Sequence, residues 1–256
     1  MDRSRSLEEL DGNARRMIDL LGDPTVDSNS PVPTCPEWTL DELANHLGRI
    51  YAWAAAVTAT EASSPPARED IVHRTPTQSS TDWLAERLDA LLGVLAELPP
   101  DATRWNFIMG PDSPGAWWWR RQMHETLIHR VDAELAANRP VADVDPTIAG
   151  DGITEYLHLT NHVLVDWKDL QLGGGLTIHL HTTDGEPQTE VTIDTENRTY
   201  ALAHLKADVA LRGPAWALDR WCWRRASIQG DGSMRLADAV ETFGDWRAAE
   251  EWRPQR

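Results

Sequence analysis

Lysine is nearly missing from this chain of 256 residues: only Lys168 and Lys206 occur, and arginine carries the remaining basic charge. Basic residues are few in sum as well. Lys and Arg number 24 against 41 Asp and Glu, a formal charge of −17. That balance excludes the basic stripe that nucleic-acid binding requires. Long apolar runs are absent too, and the longest fall far short of the roughly 20 residues of a membrane-crossing helix. The N-terminus, MDRSRSLEELDG, has no apolar signal core. Cysteine is limited to Cys35 and Cys222, too few for a disulfide framework. The expectation is a cytoplasmic protein with no membrane or nucleic-acid partner. What is present is a hydrophobic fraction of 41%, enough for a packed core. The length suits one large domain or two ordinary ones. Enrichment in Arg, Ala and Trp fits a GC-rich genome.

The first two-thirds read as helices. Leu7, Leu10, Met17, Leu20 and Leu21 mark a helix over about 6–22. A Pro- and Ser-rich loop, SNSPVPTCPEW, follows. Thr39 then opens Thr-Leu-Asp-Glu, a capping box with Glu42 at the third helical position. The helix it starts is predicted over about 40–60, with Leu43, Leu47, Ile50, Tyr51 and Ala54 on its apolar face. Further helices are predicted over about 80–98, 114–138, with Pro114 in the first turn, and 146–170. Long helices with connections of mixed length suggest a four-helix bundle. The last third changes period. GLTIHLHTTD, EVTIDTE, ADVALRG and ASIQGD read as strands, PAWALDRWCWRR as a helix and SMRLADAVETFG as a closing helix. The expected division is a helical bundle over 1–172 and a small α+β domain over 173–256, parted near Gly173-Gly174-Gly175.

The chemistry centres on His46 and on Glu125 with His129. His46 falls on the apolar face of its helix, three after Leu43 and four before Ile50. Glu125 and His129 are four apart and therefore point the same way. Three N/O ligands with a vacant fourth position form the pattern of a catalytic zinc site. A buried carboxylate is costly unless paired or metal-bound, so an internal Glu–His or Glu–Arg ion pair is the alternative. Asp132, three after His129, is placed to orient a ligand. His124 lies about 140° around the helix from His129 and is no ligand on that count. His158 and His162, also four apart, form a rival pair with no matching carboxylate or third ligand. His179 and His181 alternate with Ile178 and Leu180, so they face solvent or the helical domain. Cys35 and Cys222 read as packing residues. Trp117, Trp118 and Trp119 span too wide an arc to be all core, and one or two rings are expected to line a cavity.

VPTCPEWTLDELANHLGRIYAW, RRQMHETLIHRVDAELA, LTIHLHTTDGE and KADVALRGPAWAL, in that order, resemble the mycothiol-dependent maleylpyruvate isomerase family of actinobacteria. The resemblance covers nearly the whole chain. It implies a mainly α protein with an α+β part: a DinB-like metal-binding four-helix bundle followed by a small sterol-carrier-like domain. It implies a divalent metal, usually zinc, on His46, Glu125 and His129, and mycothiol as the thiol cofactor. The implied reaction is addition of a metal-held thiolate to the cis double bond of a small anionic electrophile, rotation, and loss of the thiol. A dianionic substrate needs cations, and Arg68, Arg74, Arg120 and Arg121 are candidates. Arg121 is preferred because it shares the helix face of Glu125. Glu37 departs from the glycine of the family's CPGW motif, and the His158–His162 pair lies outside the family pattern. A mycothiol S-transferase or biosynthetic thiol-dependent enzyme, and a non-catalytic metal- or ligand-binding bundle, are the alternative functions.

Overall fold

The computed structural model describes residues 1–61, 64–160, 175–197, 199–227, 239–244 and 247. The chain forms two compact units, Met1–Val141 and Ala142–Arg256.

The first unit holds α1 (Arg3–Gly22), a hairpin of β1 (Pro31–Val32) and β2 (Cys35–Thr39), α2 (Leu40–Thr58), α3 (Ser80–Glu97), a hairpin of β3 (Thr103–Asn106) and β4 (Gly110–Pro114), and α4 (Ala116–Ala136). Each of the first three helices starts on a side chain that accepts an otherwise unpaired backbone N–H. Asp2 accepts from Arg5, Ser79 from Asp82, and Thr39 forms the full capping box with Glu42. The helices pack as a bundle in which α1 meets α3 and α4, and α2 meets α3 and α4. Leu10, Leu43, Leu47, Leu84, Leu88, Trp118 and Leu127 are fully buried between them, and each leucine contributes about 2 kcal/mol on burial. Gly48 lets α2 approach α3: a Cβ there would stand 2.1 Å from the Trp83 indole nitrogen.

α4 is buried on most of its circumference, polar residues included. Its buried charges are therefore paired, as burial demands. Arg130 meets Glu134 at 3.2 Å, and Arg16 of α1 meets the same carboxylate at 3.1 Å. Burial pulls the Arg130 guanidinium below its ordinary pKa, partly offset by the Glu134 charge. Trp118 and Trp119 are buried and donate their indole N–H to the carbonyls of Trp105 and Leu95. Trp117 packs edge-on against Phe107 and Trp118. Trp117 and Trp118 thus join an aromatic cluster with Trp53, Trp105 and Phe107, while the Arg3 guanidinium lies over the Trp119 ring.

The second unit begins with α5 (Pro146–Leu159), capped by Asp145 on Thr147 N–H. A five-stranded sheet follows, in the order β7-β6-β5-β8-β9. Its strands are β5 (Thr177–Thr182), β6 (Glu190–Asp194), β7 (Thr199–Ala201), β8 (Val209–Gly213) and β9 (Glu241–Phe243), with α6 (Ala215–Cys222) after β8. Among the described residues, only β5 and β8 pair in parallel. Ile178, Leu180, Val191, Ile193, Val209 and Leu211 are directly paired in register and buried, so they share one face. The opposite face of β5 and β6 carries His179, His181, Glu190 and Thr192. α6 packs on β5 and β8 and against α5.

The mainly α plus α+β architecture is the expected one. Two details differ. Pro114 ends β4 instead of opening α4, because the segment before the helix pairs with β3. The end of the expected closing helix is β9, which completes the sheet beside β8; residues 228–238 lie outside the described set, as does most of ASIQGD. The two compact units divide after Val141, and α5 falls in the second. The boundary near 172 expected from the glycine run lies among residues outside the described set. No helix among the described residues is long and apolar enough to cross a membrane.

Candidate metal centre

α2 and α4 bring His46, Glu125 and His129 together. The two helices are pinned nearby by Tyr51, whose hydroxyl lies 2.7 Å from that of Thr126. Both groups are buried, and burial drives the Tyr51 phenol above its ordinary pKa. Glu125 Oε1 lies 3.3 Å from His129 Nε2 and 3.8 Å from His46 Nε2. One ligand atom from each of the three residues falls within 4.8 Å of the others. Two atoms each about 2.0–2.1 Å from a tetrahedral zinc are separated by about 3.3–3.4 Å, so these spacings fit a shared ion.

The hydrogen bonds around the cluster sharpen that fit. His129 Nδ1 lies 2.9 Å from Asp132 Oδ2, and the other Asp132 oxygen accepts from Thr34 Oγ1 at 2.5 Å. An ionised Asp132 only accepts; Nδ1 then carries the imidazole proton and Nε2 presents a lone pair. That lone pair faces Glu125 Oε1, another lone-pair donor. Two such atoms face one another favourably only with a proton or a cation between them. Glu125 divides its oxygens: Oε2 accepts from Arg121 Nη2, while Oε1 faces the histidines. The Glu–Arg and Glu–His contacts expected of an internal ion pair are therefore both present, and they leave the inward oxygen aimed at two imidazoles.

Trp38, on β2, lies over the cluster. Its ring centroid is 4.6 Å from that of His46 and 6.5 Å from that of His129. The same hairpin supplies Thr34. The His129 side chain is 4% exposed, against 32% for His46, so the cluster opens on the His46 side.

The remaining sequence candidates fall elsewhere. Arg74 makes a two-pronged pair with Asp41 at 2.8 and 2.5 Å, which holds that carboxyl below its ordinary pKa. Arg68 sits in a short helical turn, Arg68–Asp70. His124 is buried and does not join the cluster. His158 lies in the last turn of α5, and His162 lies outside the described residues. Cys35 and Cys222 are both buried. Asp132 stands where the sequence placed it, whereas Thr34 and Trp38 were assigned no role by sequence reasoning. The one signal for them was their position in the PTCPEW segment just before the α2 cap.

A helical bundle with a His–Glu–His cluster, followed by an α+β unit, is thus the class of molecule that the chain defines. Residues 10–134 match the mycothiol maleylpyruvate isomerase N-terminal domain, and residues 147–251 match the MDMPI C-terminal domain. The chain belongs to the mycothiol maleylpyruvate isomerase family. Two crystal structures of mycothiol-dependent maleylpyruvate isomerase, one of them a mutant, are similar to it. Each shares 15% identity, with a TM-score of 0.58 over 94% of this chain and 93% of the other. At that identity the likeness speaks for the fold. No curated protein sequence matches the chain.

Proposed function

We propose that the protein is a metal- and mycothiol-dependent enzyme of the maleylpyruvate isomerase type, with zinc held by His46, Glu125 and His129. The observation that carries this reading is the single Glu125 oxygen facing two imidazole nitrogens, one of them on the His129 ring, whose side chain is 4% exposed and whose other nitrogen meets Asp132 at 2.9 Å. Bound zinc supplies one thing: it lowers the pKa of a thiol and keeps it as thiolate. The protein's own residues set the stage for that. Asp132, held by Thr34, orients His129 and raises its basicity as a ligand. Arg121 holds Glu125 in place and brings a cationic group to the centre, where it favours an anionic substrate. The Trp38 ring packs against His46 and shapes the side on which the cluster opens. Both cysteines are buried, so the nucleophile is an outside thiol, and the family points to mycothiol.

The test is zinc content followed by turnover of maleylpyruvate with and without mycothiol. His129→Ala is expected to lose metal and activity together, and Cys35→Ser to keep both. Full activity without added thiol overturns the reading. Zinc and mycothiol binding with maleylpyruvate unchanged but other electrophiles consumed moves the assignment to a mycothiol S-transferase. Arg121→Met separates that residue's two roles: lost metal affinity marks an orienting role, and a raised KM at full metal content marks a substrate contact.

A further inference from the structure

The metal centre proposed above lies on the bundle, and a second group of ligand-type side chains stands in the second unit. His179, Glu190 and His204 each offer a ligand atom, and these atoms lie within 4.8 Å of one another. The sheet builds this convergence. In the β5–β6 register His179 faces Thr192 and His181 faces Glu190. All four therefore project from the face opposite the apolar core of the sheet. His204 arrives from the segment after β7, and Thr192 fixes it there. The Thr192 hydroxyl donates to the Ala203 carbonyl at 2.9 Å and accepts from Leu205 N–H at 3.2 Å. The residue between is thereby held over the sheet.

Glu190 Oε1 is the focus. His204 Nδ1 lies 3.2 Å from it and His181 Nδ1 3.4 Å. The His179 and His204 rings stand 4.3 Å apart between centroids. Hydrogen bonds alone account for Glu190, His181 and His204, but not for His179. That residue is 4% exposed, and its Nε2 is buried with no hydrogen-bond partner. Leaving such an atom unsatisfied costs about 1–3 kcal/mol. A cation shared with Glu190 and His204 would satisfy it.

We propose that His179, Glu190 and His204 form a second metal site, taking a divalent transition ion of the kind that imidazole and carboxylate share, zinc foremost. Two imidazoles and a carboxylate suit zinc, nickel or copper and disfavour calcium and magnesium, which prefer all-oxygen shells. His181 stands beside the site as a reserve fourth ligand. The ion clips the segment after β7 onto β5 and β6, so its role is to brace the sheet.

Zinc titration of the metal-stripped full-length protein, with a chromophoric chelator as competitor, tests the proposal. The wild type is expected to take up two equivalents. A His46→Ala/His129→Ala double variant keeps one of them. In that background His204→Gln or Glu190→Gln weakens the remaining equivalent by about a hundredfold or more. The His204 side chain is 64% exposed, so its replacement leaves the fold intact, and far-UV circular dichroism checks this. The proposal is overturned if the double variant binds no zinc, binds it only at surface-histidine strength, or is indifferent to both further substitutions. Failure of the first site looks different: the wild type then takes up one equivalent, sensitive to His204→Gln but not to His129→Ala.

Discussion

At the scale of single residues, the proposed centre depends on groups that touch no metal. Asp132 is fully buried between His129 and Thr34. Its replacement by alanine frees the imidazole to rotate and to change tautomer. Zinc affinity is expected to fall about 10–100-fold in Asp132→Ala, measured by chelator competition, and unchanged affinity would refute the orienting role. His46, Glu125, His129 and Asp132 were legible in the sequence because helical spacing converts residue numbers into directions. Thr34 and Trp38 were not, because a five-residue strand and a tight turn carry no comparable rule. The His179 group was half legible. Alternation put His179 and His181 on one face of a strand, but only the register with β6 supplied Glu190, and only the Thr192 hydrogen bonds supplied His204.

Among the elements, α2 shows how closely local signals and packing agree. Its start was readable from Thr39 and Glu42, and both halves of the capping box form. Its contact with α3 was not readable, since nothing in the sequence marks Gly48 as the partner of Trp83. Trp83 is 1% exposed and has no room to withdraw. Gly48→Ala is therefore expected to destabilise the bundle by about 1–3 kcal/mol through overpacking, despite the roughly 1 kcal/mol of helix propensity that alanine gains. Chemical denaturation would show it, and a stabilised variant would mean that the helices separate freely. α4 is the opposite case. Its polar residues are buried all round, so its sequence lacks a clean apolar stripe, and its role as the bundle's inner helix emerges only from the pairings of Arg121, Arg130 and Asp132. β9 was misread because residues that suit a helix were taken up by the free edge of β8.

On the scale of the whole molecule, the second unit hides an acid. Asp219 of α6 is 1% exposed and lies against Gly152 of α5, with Oδ1 unpartnered. Burial raises its pKa well above the ordinary carboxylate value, and Glu155 and Asp151 push it the same way. The folded state thus holds a proton that the unfolded chain gives up more readily. Stability from this group is fully present below the unfolded pKa and is lost as pH rises through the folded one. Asp219→Asn is expected to raise the unfolding midpoint more at about pH 8 than at about pH 5. Equal shifts at both pH values would show that Asp219 titrates normally. The first unit has a different dependence. Its proposed ligands sit on α2 and α4, helices separated in the chain by all of α3 and the β3–β4 hairpin. An ion held there would staple them, and a ligand at a hundred times its dissociation constant adds about 2.7 kcal/mol to the folded state. In a cell that margin sets lifetime: a polypeptide made under zinc starvation would open more often, meet proteases sooner and be cleared, so its abundance would follow zinc supply even at a constant rate of synthesis.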